Sequence, residues 1–155
     1  MRKSVLKKND QFETENRAYK TNTDVSASFT SKFDNLNFIN DGLADPTFRW
    51  TDFESPSKSD WVQFDFKKPN KVNTAYLYFY SDKAGVQPPQ DYKVQYWNGS
   101  IWEDVKSLVK TPLQPIANLN VCSFNEVETM KIRFVFIHKS EKVFSGLYEV
   151  ELYNK

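Results

Sequence analysis

Asp41, Asp45 and Thr47 fall within one short loop, Phe38-Ile-Asn-Asp-Gly-Leu-Ala-Asp-Pro-Thr, and Glu149 stands in the last apolar run of the chain. Carboxylates, a hydroxyl and the carbonyls of a sharply turning loop are the hard oxygen donors that calcium gathers, about six to eight at a time. The plainer reading of the same loop is an Asx-turn, in which a side chain ties its own backbone. A second set, His138, Lys139 and Phe144, lies in Ile137-His-Lys-Ser-Glu-Lys-Val-Phe-Ser-Gly. An aromatic ring beside fixed donors and acceptors suits a sugar, whose apolar C–H face lies on the ring while its hydroxyls meet the polar groups. Against this, Phe144 can equally be a loop anchor packed into the end of the fold, and His138, the only histidine, a single structural hydrogen bond. A third set is spread over polar loops: Phe33, Asp34, Asp52, Asp82 and Gln87 can read hydroxyls, and Arg49 can donate a forked pair of bonds to hydroxyls or a carboxylate. The competing roles are an ion pair with a nearby Asp for Arg49 and plain solvation for the acids. No nucleophile with a positioned base is evident, so these residues point to binding rather than catalysis; an enzyme reading would fall back on the Asp41 and Asp45 carboxylates.

The elements that must position these residues are strands. Val62, Phe64 and Phe66 alternate with Trp61, Gln63 and Asp65; Ala75, Leu77 and Phe79 alternate with Tyr76, Tyr78 and Tyr80. Such period-two patterns put one set of side chains on each face of a sheet. Tyr92, Val94 and Tyr96 repeat the pattern before Asn98-Gly99, a hairpin-turn pair, and residues 101–105 return as its partner. The folded domain is expected to begin near Val25, with further strands over 121–124, 130–137 and 147–153 and with 106–117 as a connection across the top. The long polar stretch 30–60 has little periodicity, and loops of that length tend to be functional or pinned by an ion. Trp50, Trp61, Trp97 and Trp102 are assigned to core or hairpin support, the last two as a cross-strand pair. The expected fold is therefore all-β, an antiparallel β-sandwich of about eight strands with function in its end loops. Residues 1–23 read as a polar leader or linker and 24–155 as one folded domain.

With 21 basic and 20 acidic residues the net charge is +1, which gives no reason to expect nucleic acid or an anionic membrane as a partner. Cys122 is the only cysteine, so no internal disulfide can form, and its expected role is that of a small buried hydrophobe. The basic start of the chain leads into Asn9-Asp-Gln rather than an apolar segment, so an export signal, if used, lies elsewhere.

Taken in order, Asp41-Gly, Pro46-Thr, Arg49-Trp, Trp61-Val-Gln-Phe-Asp-Phe, Tyr76-Leu-Tyr-Phe-Tyr, Tyr92-Lys-Val-Gln-Tyr-Trp-Asn-Gly-Ser-Ile-Trp, Lys131-Ile-Arg-Phe-Val-Phe and Gly146-Leu-Tyr-Glu-Val-Glu-Leu-Tyr resemble the discoidin or coagulation factor 5/8 type C superfamily. The likeness is greatest to the galactose-binding-like carbohydrate-binding modules of bacterial glycoside hydrolases, and it spans about residues 24–153. The resemblance implies a jelly roll, a structural calcium near one end, and a shallow sugar site in the loops there. It implies calcium ligation by Asp41, Thr47 and Glu149, although one extra residue separates Thr47 from Trp50, and it places Phe144 where similar modules carry an aromatic platform. It also implies a non-catalytic module of a larger secreted enzyme, extracellular or at the cell surface, with a galactose-type glycan and a neighbouring catalytic domain as partners. The rival within this resemblance is a structural spacer or adhesion domain that binds protein or phospholipid, for which Phe33 and Phe53 are the loop aromatics. The chain departs from the coagulation-factor branch in lacking the cysteines that join its termini.

Overall fold

The computed structural model describes residues 15–155. It contains eight strands: β1 (Thr23–Ala27), β2 (Trp50–Thr51), β3 (Ser59–Phe79), β4 (Asp91–Trp97), β5 (Trp102–Asp104), β6 (Val109–Thr111), β7 (Asn118–Ile137) and β8 (Gly146–Tyr153). A short 3-10 turn, Leu36–Asn40, interrupts the long polar stretch; Asn35 caps it by accepting the Asn37 N–H at 2.9 Å. Every strand pairing is antiparallel. No helix among the described residues is long and apolar enough to cross a membrane.

Two long strands build both layers. The first half of β3 pairs with β1 and with the far half of β7, where Val62 faces Phe134 and Phe64 faces Ile132. Register breaks between Asp65 and Asn70, around Pro69, which cannot donate to a ladder. Beyond it β3 continues between β8 and the near half of β7, with Ala75 opposite both Leu152 and Cys122. The result is a sandwich of β1, β4 and β5 with one half of the β3/β7 ribbon, and β2, β6 and β8 with the other. Residues from the two layers meet inside it. Phe136 touches Trp50 and Phe79, with ring centroids 6.1 and 5.7 Å apart, and Phe79 also touches Tyr92 at 5.8 Å. Phe64, Leu77, Ile132, Phe134, Leu147, Val150 and Leu152 complete a core closed to water.

The all-β sandwich expected from alternation is present, with boundary changes. The runs at 61–66 and 71–80 are one strand, as are those at 121–124 and 130–137, because bulges bend these strands rather than end them. β6 occupies part of the expected connection and pairs with β7. Within the expected leader, residues 15–23 lie against the fold: Asn16 and Ala18 are buried, Arg17 N–H donates to Leu152 O at 2.8 Å, and Thr23 starts β1. The remainder of that assignment, residues 1–14, lies outside the described residues. Trp97 and Trp102 do pair across the hairpin, at 5.6 Å. The loop between them has four residues, with the Asn98 carboxamide accepting from Ser100 and Ile101. Cys122 is buried, and burial pushes its thiol up to about 12.

β8 starts in a tight place. A Cβ on Gly146 would lie 2.9 Å from Thr51 Cγ2 and 3.1 Å from the Trp50 carbonyl. Gly146→Ala is expected to push β8 off β2 and cost about 1–3 kcal/mol in chemical denaturation. A loss below about 0.5 kcal/mol would mean that β2 yields freely.

Candidate functional site

Loops 28–35, 52–58, 80–90 and 138–145 gather at one end of the sandwich, where β1 and β2 end, β3 begins and ends, β7 ends and β8 begins. They are stitched together by backbone bonds rather than left free. Ser31 N–H donates to Thr51 O (2.9 Å), Asp52 N–H to Ser145 O (3.0 Å), Phe144 N–H to Gly85 O (2.8 Å), Gln87 N–H to Phe144 O (3.0 Å) and His138 N–H to Lys58 O (3.1 Å). A rim fixed in this way loses little entropy when it meets a ligand.

Aromatic rings form a row across it. Phe33, 69 % exposed, lies 6.4 Å from Phe53; Phe53 meets Phe144 edge-on at 5.5 Å, and Phe144 meets the His138 ring edge-on at 5.5 Å. Phe53 is thus the link between two rings that sequence reasoning had placed in separate sets. Beside Phe144, Lys139 Nζ donates to Gln87 Oε1 at 3.3 Å, while Gln87 Nε2 donates to Ala84 O at 2.9 Å. Asp82 accepts the N–H groups of Ala84 (2.8 Å) and Val86 (2.9 Å), so it shapes its loop while staying exposed.

Three other sequence candidates face inward. Asp34 accepts from Thr51 Oγ1 at 2.6 Å and lies 3.5 Å from Arg49 Nε. Arg49 stacks on Tyr80 at 4.2 Å and donates to Pro46 O at 3.3 Å; its fork straps the loop, the ion-pair role weighed above. Asp52 is fully buried, with one oxygen taken by Ser145 N–H (2.6 Å) and the other 2.9 Å from His138 Nε2. It cannot meet a ligand hydroxyl as it stands. His138 is itself buried, and Asp60 Oδ2 lies 3.3 Å from the same nitrogen. Burial alone would lower the imidazole, but the Asp52 and Asp60 carboxylates outweigh it and hold His138 up at about 9. Burial raises Asp52, against the opposing pull of His138 and the Ser145 N–H. Next to this group a groove of about 560 Å³ runs between segments 55–58 and 137–141.

The residues expected to hold calcium occupy a different flank. Asp41 Oδ1 accepts the Leu43 N–H (3.1 Å) and Asp45 Oδ1 the Thr47 N–H (2.9 Å), so both make the Asx-type bonds of a turning loop. Gly42 at φ 79° supplies the turn that an L side chain resists. The 3-10 turn leading into this loop packs on β8, which carries Glu149, only 1 % exposed. A buried carboxylate calls for a cation or hydrogen-bond donors, and a loop rich in oxygen donors is what a hard cation takes. Among the described residues, however, the one set of three acidic, histidine or cysteine ligands within 4.8 Å of one another is Asp52, Asp60 and His138. Asp41, Asp45 and Glu149 form no such set, so loop carbonyls and Thr47 would have to complete a calcium shell.

The family profile described as F5/8 type C domain matches residues 19–150. This chain belongs to the F5/8 type C domain family. Solved structures agree on the F5/8 type C fold. One from the Streptococcus pneumoniae beta-galactosidase BgaA superposes with a TM-score of 0.79 at 21 % identity, over 88 % of this chain and 94 % of that one. The family 32 carbohydrate-binding module of C. perfringens NanJ, in complex with galactose, gives 0.70 at 14 % identity over 90 % and 99 %. Chitosan-binding module 2 from a Paenibacillus sp. IK-5 chitosanase/glucanase, in complex with chitotriose, gives 0.68 at 17 % over 90 % and 100 %. No match was found among curated proteins.

Proposed function

We propose that this F5/8 type C domain is a non-catalytic carbohydrate-binding module that holds a larger secreted glycoside hydrolase near its glycan, outside the cell or on its surface. The observation that carries this reading is the row Phe33–Phe53–Phe144 with the Lys139–Gln87 pair beside it, on a cross-tied rim. Rings offer a C–H face its platform and the polar pair offers hydroxyls a donor and an acceptor. Galactose-type sugars are the first ligands to test, since the similar NanJ module holds galactose; the chitotriose of another similar module makes amino sugars the second. Binding is expected in the range of about high micromolar to millimolar, because an open rim desolvates few polar contacts. Tethering then acts through local concentration. A structural calcium at the loop of Asp41, Asp45 and Thr47, closed by Glu149, is part of the proposal.

Phe33→Ala is the cleanest test, because its ring is mostly in solvent and its loss leaves the core intact. Glycan-array retention and calorimetry with galactose and chitotriose should show affinity falling about three- to tenfold with an unchanged melting temperature. Wild-type retention by both Phe33→Ala and Phe144→Ala would remove the aromatic platform from the account. Lys32 Nζ sits 5.1 Å from the Phe33 ring, a cation beside the loop aromatics Phe33 and Phe53 that a phospholipid-docking role would use. Liposome binding without glycan retention would favour that rival.

A further inference from the structure

Asp52, Asp60 and His138 come from three segments that a bound ion would join: the loop after β2, the start of β3 and the residue after β7. Their relative exposures are 0 %, 2 % and 8 %. His138 Nε2 lies 2.9 Å from Asp52 Oδ2 and 3.3 Å from Asp60 Oδ2. The other oxygen of each carboxylate is already held, Asp52 Oδ1 by the Ser145 N–H at 2.6 Å and Asp60 Oδ1 by the Ser28 hydroxyl at 2.7 Å. Ser28 is fixed in turn by accepting the Trp61 N–H at 2.9 Å. Each carboxylate is therefore oriented from behind, with a single oxygen presented to the imidazole nitrogen, as outer partners orient metal ligands.

One N–H cannot satisfy two such oxygens. Nε2 carries a single hydrogen, which is directed to Asp52, and Asp60 Oδ2 is left buried with no hydrogen bond. Charge is unbalanced as well. Among the described residues no Lys or Arg pairs with either carboxylate, so even an imidazolium leaves one buried negative charge over. A divalent ion with a neutral imidazole brings the sum to zero. The two distances from Nε2 suit one, since ligand atoms about 2.9–3.4 Å apart are what bonds of roughly 2.0–2.2 Å produce around a tetrahedral or octahedral centre, and all three ligand atoms lie within 4.8 Å of one another. One nitrogen with two oxygens is a borderline donor set, suited to zinc and its first-row neighbours rather than to calcium.

We propose that Asp52, Asp60 and His138 bind one divalent transition-metal ion of the zinc type, which fastens the β2–β3, β7–β8 and β1 ends of the rim together. Three protein ligands leave a position for water. The groove that His138 helps to line is the route by which ion and water enter. This site shares no residue with the proposed calcium loop, and its test reads metal uptake and melting rather than glycan retention.

The test titrates the metal-stripped chain with zinc chloride while calcium is held constant, following heat and melting temperature. One ion per chain is expected, with melting raised by at least about 5 °C at a hundredfold excess over Kd. Cobalt(II) in place of zinc should give a visible d–d absorption band. Asp60→Asn should weaken zinc at least about tenfold while melting in metal-free buffer stays level or rises, because the surplus charge is gone. His138→Gln should abolish the cobalt band. A wild-type chain that takes up no zinc, or a zinc response identical in wild type and both variants, overturns the site and leaves a proton-bridged cluster in its place.

Discussion

Phe136→Ala is expected to lower stability by about 3–5 kcal/mol, the largest effect of any single substitution considered for this domain. Phe136 is fully buried and sits between the layers, against Trp50 of β2 and Phe79 at the end of β3. The space it leaves cannot close easily. Trp50 is held by its indole N–H, which donates to Phe29 O and Thr30 Oγ1, both at 3.1 Å. The unfilled cavity therefore adds to the lost transfer free energy. Urea denaturation should show a much lower midpoint with an unchanged slope, whereas Leu119→Ala, at a position 41 % exposed, should stay within about 0.5 kcal/mol of wild type. Equal small losses in the two variants would contradict the assigned core.

Removing calcium is expected to have the next largest effect. If the loop of Asp41, Asp45 and Thr47 binds the ion with Glu149, calcium at a thousandfold excess over Kd stabilises the fold by about 4 kcal/mol, all of it lost on chelation. Melting should recover when calcium alone is added back, which separates this loop from the zinc-type cluster. Glu149→Gln keeps the shape of the buried side chain but removes its charge, so its melting should no longer respond to calcium. A wild-type melting curve indifferent to chelator and to add-back would rule out the ion and leave the loop held by its Asx bonds.

The parts of the fold that depend on neighbours along the chain were legible. Val62, Phe64 and Phe66, or Ile132, Phe134 and Phe136, point to one side because strand geometry alternates, and all six are buried. Pro69 and Asn70 were not legible as mid-strand residues, since the chemistry that ends a strand is the same chemistry that bends one at a bulge. β6 is three residues long beside Pro112, too short for any pattern. Within the site, Phe33, Phe53 and Phe144 could be named from their loops, but not that Phe53 joins the other two into one row. Asp52 and His138 are 86 residues apart, and nothing local to either announces the other. Asp60 looked like no more than the residue before a strand. Arg49 and Asp34 were chosen for hydrogen-bonding capacity, which a sequence displays, while their direction is decided by Tyr80 and Thr51, which it does not.

Asn16 Oδ1 accepts the Leu152 N–H at 2.9 Å, and the Arg17 N–H donates to the Leu152 carbonyl. Leu152 lies at the far end of β8 from Gly146, so Asn16 and Arg17 sit at the pole opposite the ring-bearing loops. The unit is moored at its foot. That fastening holds the base of β8 while the crown of rings at the other pole faces away from it.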